Sequence, residues 1–329
     1  MINKQVNVYL IISLGSIGKR HLSNLKKLDK NAKIVILRHQ KINDTSNENV
    51  IEVNQMEDAL RFKPTIAIIA SPAVFHIEQA ITLLRHNIHL FIEKPLSHNL
   101  DNINLLQHIA EEKSLIVMIG YVLRFSPILI KVRLLLEESV IGNILSTSAH
   151  YGQYLPNWRP NQDYRQTVSA KKELGGGILL EISHEFDYLR WLFGNITSVV
   201  SNVTNTNVLD MNAEDKADIL IEFDQGFFGS VHINCLEKKA YRAFSINGSN
   251  GNIFCDLNNG KIKIDCNESI EVLDFTQVES DIYLDELNCF LECVKFNKRP
   301  PIGLDDGIEI VKIVEAIKRS SNTRQWVDL

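Results

Sequence analysis

Cysteines are few in this chain, and their spacing matches no metal site or disulfide framework. The 329 residues include five cysteines, all in the C-terminal third and without a C-x-x-C pair. Cys289 and Cys293 are four residues apart, but no matching histidine or cysteine pair follows them. We therefore expect buried or idle thiols and no bound metal.

The sequence also lacks an excess of positive charge and a long apolar run. Its 35 Lys and Arg against 40 Asp and Glu give a net charge of −5, so no global positive field attracts a nucleic-acid backbone. The run Val8–Leu14 is far shorter than the roughly 20 residues of a membrane span. No cleavage-like segment follows it. We expect a cytoplasmic protein with neither nucleic acid nor membrane as partner.

Length and the alternation of patterns predict two domains. At about 150 residues per domain, 329 residues correspond to about two. Apolar strands separated by amphipathic helices predict an α/β domain over residues 1–120, with a doubly wound parallel (Rossmann) sheet. Hairpin-like stretches predict an α+β domain over residues 121–329, built on a large, mostly antiparallel sheet.

The expected elements follow from these periodicities. Strands are predicted at 6–12, 33–37, 65–70, 88–92, 115–119, 219–223, 227–233, 243–246 and 261–264. Helices are predicted from residue 17 and at 75–85, 100–112, 127–138, 179–193 and 305–319. The last helix carries Ile310, Ile313, Val314 and Ile317 on one face.

A glycine turn follows the first predicted strand. Residues 13–18 read S-L-G-S-I-G, a G-x-G-x-x-G dinucleotide fingerprint with serine in the first glycine's place. Gly15 allows close approach of a pyrophosphate, and Gly18 allows close packing of helix on strand. A φ above zero at the first position would strain Ser13. The residues expected to bind the dinucleotide here are Ser13, Gly15, Ser16, Ile17 and Gly18.

The end of the second strand bears on the choice of cofactor. A dinucleotide fold usually has an acidic residue there, which binds the ribose hydroxyls. This chain has Arg38 and no carboxylate between it and Asp44. Arg38 suits a 2′-phosphate, so NADP is favoured over NAD. The alternative is an exposed arginine at a strand end.

Two further motifs have residues suited to proton transfer. Glu93-Lys94-Pro95 ends the fourth predicted strand, at the sheet edge where α/β proteins bind ligands, and a lysine there stabilises charge on a substrate oxygen. Farther on, the predicted helix 179–193 has Glu181 and His184 on one face, where an acid orients an imidazole. Salt bridging to a surface acid and a solvated helix face are the structural alternatives.

A long loop before this helix is rich in cations and aromatic side chains. Such a surface suits an anionic sugar derivative, because rings cover sugar faces and arginines hold phosphate. Solvated loop charges are the alternative. The expected substrate-binding residues of the loop are Trp158, Arg159, Tyr164 and Arg165.

Together these motifs resemble the glucose–fructose oxidoreductase/inositol dehydrogenase (Gfo/Idh/MocA) family, nearly end to end. The other positions that carry the resemblance are Ser71-Pro72, His76, Gly175–Gly177, Trp191-Leu192, Gly194 and Gly303–Gly307. The resemblance implies that Lys94 and His184 flank the nicotinamide, with Lys94 on the reacting oxygen and His184 exchanging its proton. The family commonly has an aspartate four residues before this histidine, whereas here Glu181 lies three before it. Ser183 and Glu185 are alternative partners for the ring.

The resemblance also assigns neighbours of the cofactor and of the substrate. It implies that Ser71, Pro72 and His76 border the cofactor and that Glu93 lies near the nicotinamide ribose. Tyr121 and Arg124 are expected in a cleft between the domains, or else as packing at the domain boundary.

The expected activity is an NAD(P)-dependent oxidoreductase acting on a secondary alcohol or ketone of a sugar, cyclitol or nucleotide-linked sugar. A homo-oligomer is expected from relatives, which often pair through the open face of the second sheet. Two alternatives remain open: a non-catalytic dinucleotide-binding regulator, and a glycosidase that uses the cofactor in a transient oxidation.

Overall fold

The structure is a computed structural model that describes residues 7–38, 49–266 and 268–329. Its strands are β1 (Val8–Ile12), β2 (Lys33–Leu37), β3 (Val50–Val53), β4 (Ile66–Ile69), β5 (His89–Glu93), β6 (Val117–Gly120), β7 (Ile144–Gly152), β8 (Ile196–Thr204), β9 (Lys216–Phe223), β10 (Phe228–Asn234), β11 (Tyr241–Gly248), β12 (Gly251–Asp256), β13 (Lys261–Cys266), β14 (Ser269–Asp274) and β15 (Val327–Asp328). Its α-helices are α1 (Ser16–Leu28), α2 (Met56–Leu60), α3 (His76–Arg85), α4 (Ile103–Glu112), α5 (Pro127–Glu137), α6 (Ile178–Glu181), α7 (His184–Phe193), α8 (Ile282–Phe296) and α9 (Leu304–Thr323).

The chain divides into two compact units. The first contains residues 1–122 and 281–308, and the second contains residues 123–280 and 309–329. Residues 281–308 thus belong to the first unit, whereas the sequence interpretation placed them in the second domain. The reason is the packing of α8: the Phe290 ring lies 5.6 Å from that of Phe91, and the Arg20 guanidinium lies 4.1 Å from the Tyr283 ring centre.

A parallel sheet forms the core of the first unit. Within the described residues it has six strands in the order β3-β2-β1-β4-β5-β6, and every neighbouring pair is parallel. Strands β4 and β6 are buried along their whole length, as expected for a sheet covered on both faces. The strand order reverses between β1 and β4, which is where doubly wound sheets bind their ligands.

A mostly antiparallel sheet forms the core of the second unit. Within the described residues its nine strands run β14-β13-β12-β11-β7-β10-β9-β8-β15, and only β7 and β10 pair in parallel. Helix α7 covers one face: Tyr188 packs on Phe244, with ring centres 5.3 Å apart, and Phe193 on Phe223, at 5.6 Å. Along β9 and β10 buried residues alternate with more exposed ones, so the opposite face is open.

The expected fold class is confirmed by this architecture. The predicted helix 179–193 is wrong in one respect, because the chain breaks at Ile182 and Ser183 into α6 and α7. The predicted face of the last helix is buried, since Ile310, Ile313, Val314 and Ile317 are each at most 1% exposed. No helix among the described residues is long and apolar enough to cross a membrane.

Candidate functional site

The glycine turn joins the end of β1 to the start of α1. The Ser13 amide donates to the Leu37 carbonyl oxygen at 2.9 Å, which ties the turn to β2. Ser13 has a φ of +76°, the left-handed conformation that the first glycine of the fingerprint normally adopts. Serine therefore takes the expected path of the loop at the cost of local backbone strain.

Gly18 allows the first helix to approach the turn. A Cβ at this position would lie 2.2 Å from the Ser13 carbonyl oxygen, a distance that no side chain tolerates. The loop and α1 therefore pack together only because residue 18 has no side chain. This close packing is the role assigned to the third fingerprint glycine.

The N-terminus of α1 has the features of an anion site. Gly15 is its N-cap residue and has no side chain to satisfy the first-turn amides. A Cβ on Gly15 would meet nothing within 4 Å, so there is room for a ligand against the backbone. The amides of Ser16 and Ile17 and the helix dipole favour a negative charge there. These residues fit the pyrophosphate of a dinucleotide.

Replacing Ser13 with glycine should stabilise the protein. A left-handed non-glycine residue costs about 1–2 kcal/mol, of which the greater flexibility of unfolded glycine offsets about 0.4–1 kcal/mol. We expect Ser13→Gly to raise the free energy of unfolding by up to about 1.6 kcal/mol, measured by denaturant titration. Ser23→Gly is the matched control, since Ser23 is exposed in the interior of α1 and a glycine there should destabilise by about 0.5–1 kcal/mol. A Ser13→Gly protein less stable than the wild type would contradict the strain argument.

Glu93 and Lys94 lie where β5 ends, at the carboxyl edge of the parallel sheet. The Glu93 carboxylate is held by His21 of α1, whose Nε2 lies 2.6 Å from Oε1, and the His21 side chain is fully buried. Gly120 on the neighbouring β6 makes room for it, because a Cβ there would lie 3.3 Å from Glu93 Oε2. Lys94 is partly buried, and the Lys94-Pro95 peptide bond is cis.

His76 connects the segments that follow β4 and β5. Its Nε2 lies 2.7 Å from the Ser71 carbonyl oxygen, and its Nδ1 lies 2.9 Å from that of Pro95. Burial lowers the pKa of His76 more than these hydrogen bonds raise it, so the neutral ring donates to one carbonyl at a time. His76 therefore positions Ser71, Pro72 and the Glu93-Lys94-Pro95 segment relative to one another.

At the end of β2, Arg38 has a carboxylate partner that does not come from the residues next to it in the sequence. The Arg38 Nη2 and Nε groups donate to Glu52 Oε2 at 2.7 Å and 3.0 Å. Glu52 lies on β3, opposite Ile36 of β2, and only 9% of its side chain is exposed. The neighbouring strand thus supplies an acid that the local sequence lacks. Residues 39–48, the stretch up to and beyond Asp44, lie outside the described residues.

In the second unit, the break between α6 and α7 separates two residues that were expected to share a helix face. Glu181 is the last residue of α6 and accepts a hydrogen bond from Ser169 Oγ at 2.8 Å. His184 is the first residue of α7 and is partly exposed. The expectation that Glu181 and His184 share one continuous helix face is therefore wrong. The break places His184 at the start of a new helix.

Two buried ion pairs fix α7 within the second unit. Arg124 binds Asp187, with Nη2 to Oδ1 at 2.6 Å and Nε to Oδ2 at 3.0 Å. Arg242 binds both oxygens of Glu185, at 2.7 Å and 3.0 Å. Burial lowers the pKa of Arg242, but the charge of Glu185 outweighs it and holds that pKa above its ordinary value. Both carboxylates are fully buried, so Glu185 is bound to a guanidinium rather than placed as a ring partner.

Tyr121 and Arg124, the two residues expected in a cleft, both have largely buried side chains. Tyr121 is 0% exposed, and the Arg124 side chain is 7% exposed in its ion pair. Contact of these two residues with a substrate stays a prediction.

The loop before α6 keeps its cations near the surface. Arg159 is exposed, and Arg165 forms a two-bond ion pair with Asp163, with both N–H···O distances 2.9 Å. Trp158 donates from Nε1 to the Gln153 carbonyl oxygen at 3.0 Å. The Tyr164 hydroxyl accepts from the Asp210 amide at 3.0 Å. These contacts order the loop around the exposed Arg159.

Sequence reasoning missed His21, Glu52 and Asp187, each of which fixes a residue of the candidate site. His21 holds Glu93, Glu52 holds Arg38, and Asp187 holds Arg124. His21 could have been suspected from the sequence, because it lies one helical turn after Gly18 of the glycine turn on α1. Glu52 and Asp187 meet their partners only through the tertiary fold.

Comparison with known proteins agrees with these features. A model of the oxidoreductase family NAD-binding Rossmann fold matches residues 8–121, and that of the same family's C-terminal alpha/beta domain matches residues 133–329. A myo-inositol 2-dehydrogenase of Thermotoga maritima is 24% identical over 335 residues, covering 97% of each chain. A 2,7-anhydro-N-acetylneuraminate hydratase of Mediterraneibacter gnavus is 26% identical over 314 residues, covering 90% of this chain and 81% of its own.

Among solved structures, a levoglucosan dehydrogenase in complex with NADH and levoglucosan superposes with a TM-score of 0.86 at 19% identity. The match covers 99% of each chain. At this identity the likeness is evidence for the fold. With both family models matched in chain order, this protein belongs to the Gfo/Idh/MocA family as an NAD-binding oxidoreductase.

Proposed function

We propose that the protein is a dehydrogenase or reductase that transfers a hydride between nicotinamide and a secondary alcohol or ketone of a sugar-like substrate. The observation that supports this most is the placement of Lys94 at the carboxyl end of β5, on the edge that also bears the glycine turn. A bound nicotinamide would supply the hydride chemistry, and the chain supplies orientation and proton transfer.

Lys94 and His184 have complementary roles in this proposal. His184 accepts the hydroxyl proton when the substrate is oxidised and returns it in the reverse direction. The Lys94 ammonium donates a hydrogen bond to the same oxygen and stabilises its developing negative charge. Glu181, whose Oε1 accepts a hydrogen bond from Ser169, lies three residues before His184 and adds a carboxylate to this part of the second unit.

The preference between NAD and NADP depends on the Arg38 and Glu52 pair. Arg38 by itself favours NADP, as the sequence suggests, but Glu52 neutralises it and adds a carboxylate that suits ribose hydroxyls. We propose that the pair favours NAD and that release of Arg38 shifts the preference toward NADP.

Glu52→Gln should raise the ratio of NADP to NAD affinity. The substitution removes a negative charge that repels the 2′-phosphate and frees Arg38 to bind it, a contact worth about 1.5–3 kcal/mol. The affinities for the two reduced cofactors, NADH and NADPH, can be compared by nicotinamide fluorescence. Arg38→Ala is the control and should abolish the gain when added to Glu52→Gln. An unchanged ratio in Glu52→Gln would show that the pair does not select the cofactor.

The substrate class follows from the loop before α6. Arg159 is exposed, and Trp158, Tyr164 and Arg165 lie on the same loop, a combination that fits a sugar carrying a phosphate, carboxylate or nucleotide. A panel that pairs each neutral sugar or cyclitol with its anionic derivative, followed by nicotinamide absorbance, tests this. The proposal expects turnover with higher kcat/KM for the anionic member of a pair. If kcat/KM is equal or higher for the neutral members, the charges of the loop are solvated and do not bind substrate.

A second reaction type is favoured by two relatives. Each of them, the Mediterraneibacter gnavus protein included, is named a hydratase, and adding water causes no net oxidation. A transient oxidation at the same Lys94 and His184 would likewise leave no net change in absorbance. Product analysis by chromatography at fixed cofactor concentration, with anhydro-sugars and glycosides added to the panel, separates this alternative from a dehydrogenase. The non-catalytic regulator would give neither absorbance change nor product.

We also propose a homo-oligomer formed through the open face of the nine-stranded sheet. Three large apolar side chains there, Leu220, Phe228 and Phe254, are 39–49% exposed. Burying them between copies would remove apolar surface from water. Light scattering coupled to size exclusion gives the oligomeric state directly.

A further inference from the structure

A cluster of two histidines and a glutamate lies on the open face of the second unit's sheet. His150 is on β7, His232 is on β10, and Glu237 follows β10. Each offers one metal-binding atom, and these atoms all lie within 4.8 Å of one another. Among the described residues this is the one group of three or more such side chains with that geometry. The proposed redox reaction makes no use of it.

Sheet register brings the cluster together. His232 lies opposite His150 in the parallel pairing of β10 with β7, and Asp218 lies opposite His232 in the antiparallel pairing with β9. Residues at such paired positions point to the same face of a sheet. The two imidazole ring centres are 4.7 Å apart. The arrangement is therefore set by three neighbouring strands and not by a loose surface loop.

The hydrogen bonds determine which nitrogen of His232 is available. Asn234 Oδ1 accepts from the backbone amides of Leu236 and Glu237 at 2.9 Å and 3.1 Å, which fixes the orientation of its amide group. Its Nδ2 then donates to His232 Nε2 at 3.1 Å. His232 Nε2 must carry a lone pair, and its proton lies on Nδ1, 2.5 Å from Asp218 Oδ1.

This is the tautomer that a metal ligand needs. A histidine that binds a metal commonly donates its other ring N–H to a carboxylate, which fixes the ring and raises its basicity. Asp218 supplies that carboxylate to His232. The Asn234 amide group donates to His232 Nε2 and, at 2.7 Å, to Glu237 Oε1. A bound cation would take the same two lone pairs, so these two hydrogen bonds must break when a metal binds.

Glu237 can reach His150 because residue 152, which lies between them, is a glycine. Glu237 Oε1 lies 2.5 Å from His150 Nε2, and a Cβ on Gly152 would lie 2.2 Å from the Glu237 carboxyl carbon. Because residue 152 is glycine, the carboxylate can lie over β7. Imidazole can carry its proton on either nitrogen, so His150 can offer Nε2 to a cation when its proton moves to Nδ1.

We propose that His150, His232 and Glu237 supply three ligands of a site for a divalent transition-metal ion of the Zn²⁺ class. Tetrahedral ligands about 2.0–2.1 Å from zinc lie about 3.3 Å from each other. The longest separation here closes to that value by about 1.5 Å of side-chain rotation. Two imidazoles select zinc, copper or nickel over magnesium and calcium, which prefer oxygen ligands.

Direct titration of metal tests the site. The chain, with any affinity tag removed and treated with EDTA, is titrated with Zn²⁺ in competition with a chromophoric chelator. We expect one equivalent bound with a dissociation constant at or below about 1 µM, no displacement by Mg²⁺ or Ca²⁺, and a tetrahedral ligand-field spectrum when Co²⁺ replaces Zn²⁺. A melting temperature that rises with zinc concentration gives a readout independent of activity.

Variants separate the site from unspecific binding. The double variant His150→Ala/His232→Ala should lose at least tenfold in zinc affinity, and Gly152→Ala should weaken binding by displacing Glu237. Asp218→Asn, a change at a positioning residue, should cost about 10–100-fold, with Co²⁺ bands that shift because His232 is no longer held. Glu222→Gln, on the same face of β9, is the matched control and should bind as the wild type does.

The outcome that overturns the proposal is equally direct. If the double variant keeps zinc affinity within tenfold of the wild type while circular dichroism shows it folded, the cluster is a hydrogen-bond network without a metal role. Loss of affinity in Glu222→Gln equal to that in the double variant would also overturn it, because the binding would then be spread over the face.

Discussion

Replacing His184 with alanine is expected to lower kcat by about 10²–10⁴-fold, with the affinity for the nicotinamide cofactor unchanged. Oxidation of an alcohol leaves its oxygen more acidic as the hydride departs, so a positioned base lowers the barrier to reaction. His184 is suited to this because it is the first residue of α7 and partly exposed. It lies in the second unit, whereas the glycine turn lies in the first, so cofactor binding should persist.

Lys94 and His184 should act as a unit. Lys94→Ala is expected to lower kcat by a similar factor, because the alkoxide loses its stabilising charge. The double variant should be scarcely slower than the poorer single variant, since groups that act on one oxygen are not additive. Steady-state kinetics of the four proteins, with cofactor affinity measured separately, gives this comparison.

A suitable control for His184 is a histidine outside the proposed site. His108 on α4 is exposed, and His108→Ala should leave kcat unchanged. If His184→Ala keeps wild-type turnover, or if the two single losses multiply in the double variant, the proposed sharing of one oxygen is wrong. If His184→Ala retains hydride transfer but its activity depends differently on pH, another residue exchanges the proton.

Periodicity predicted the first unit better than the second. Strands β4 and β6 are buried along their whole length, and a continuous apolar run between turn residues is a strong signal. Strand β7 was missed because serine, threonine and histidine interrupt it, and β14 because it is mostly exposed. The sequence interpretation placed the residues of α8 in the second domain, because the contacts of this helix with Phe91 and Arg20 depend on the tertiary fold.

Local motifs predicted the glycine turn and Lys94, but not the partners that hold the site. His21 and Glu93 are 72 positions apart, Arg38 and Glu52 are 14 apart, and Arg124 and Asp187 are 63 apart. No periodicity connects such pairs, because strand order and helix packing bring them together. Sequence reasoning missed the pair His150 and His232 for the same reason, because only the pairing of β7 with β10 makes them neighbours.

Removing the charge of Arg124 is expected to destabilise the second unit by about 3–5 kcal/mol. Asp187 is fully buried and the Arg124 side chain is 7% exposed, so Arg124→Met leaves a carboxylate without its guanidinium away from water. A folded protein is stable by only about 5–15 kcal/mol, so the loss should appear as a large shift of the denaturant midpoint. Fluorescence and circular dichroism, followed together, report the transition.

An arginine with the same two-bond geometry but an exposed partner supplies the control. Arg165 binds Asp163 through two N–H···O bonds at 2.9 Å, with 54% and 40% of the two side chains exposed. Arg165→Met should therefore change stability by no more than about 1 kcal/mol.

The double change Arg124→Met/Asp187→Leu should recover much of the loss, because well-packed apolar groups replace a buried ion pair at little net cost. If Arg124→Met costs no more than Arg165→Met and instead raises KM, then Arg124 contacts the substrate, and its pairing with Asp187 is a secondary feature of the site.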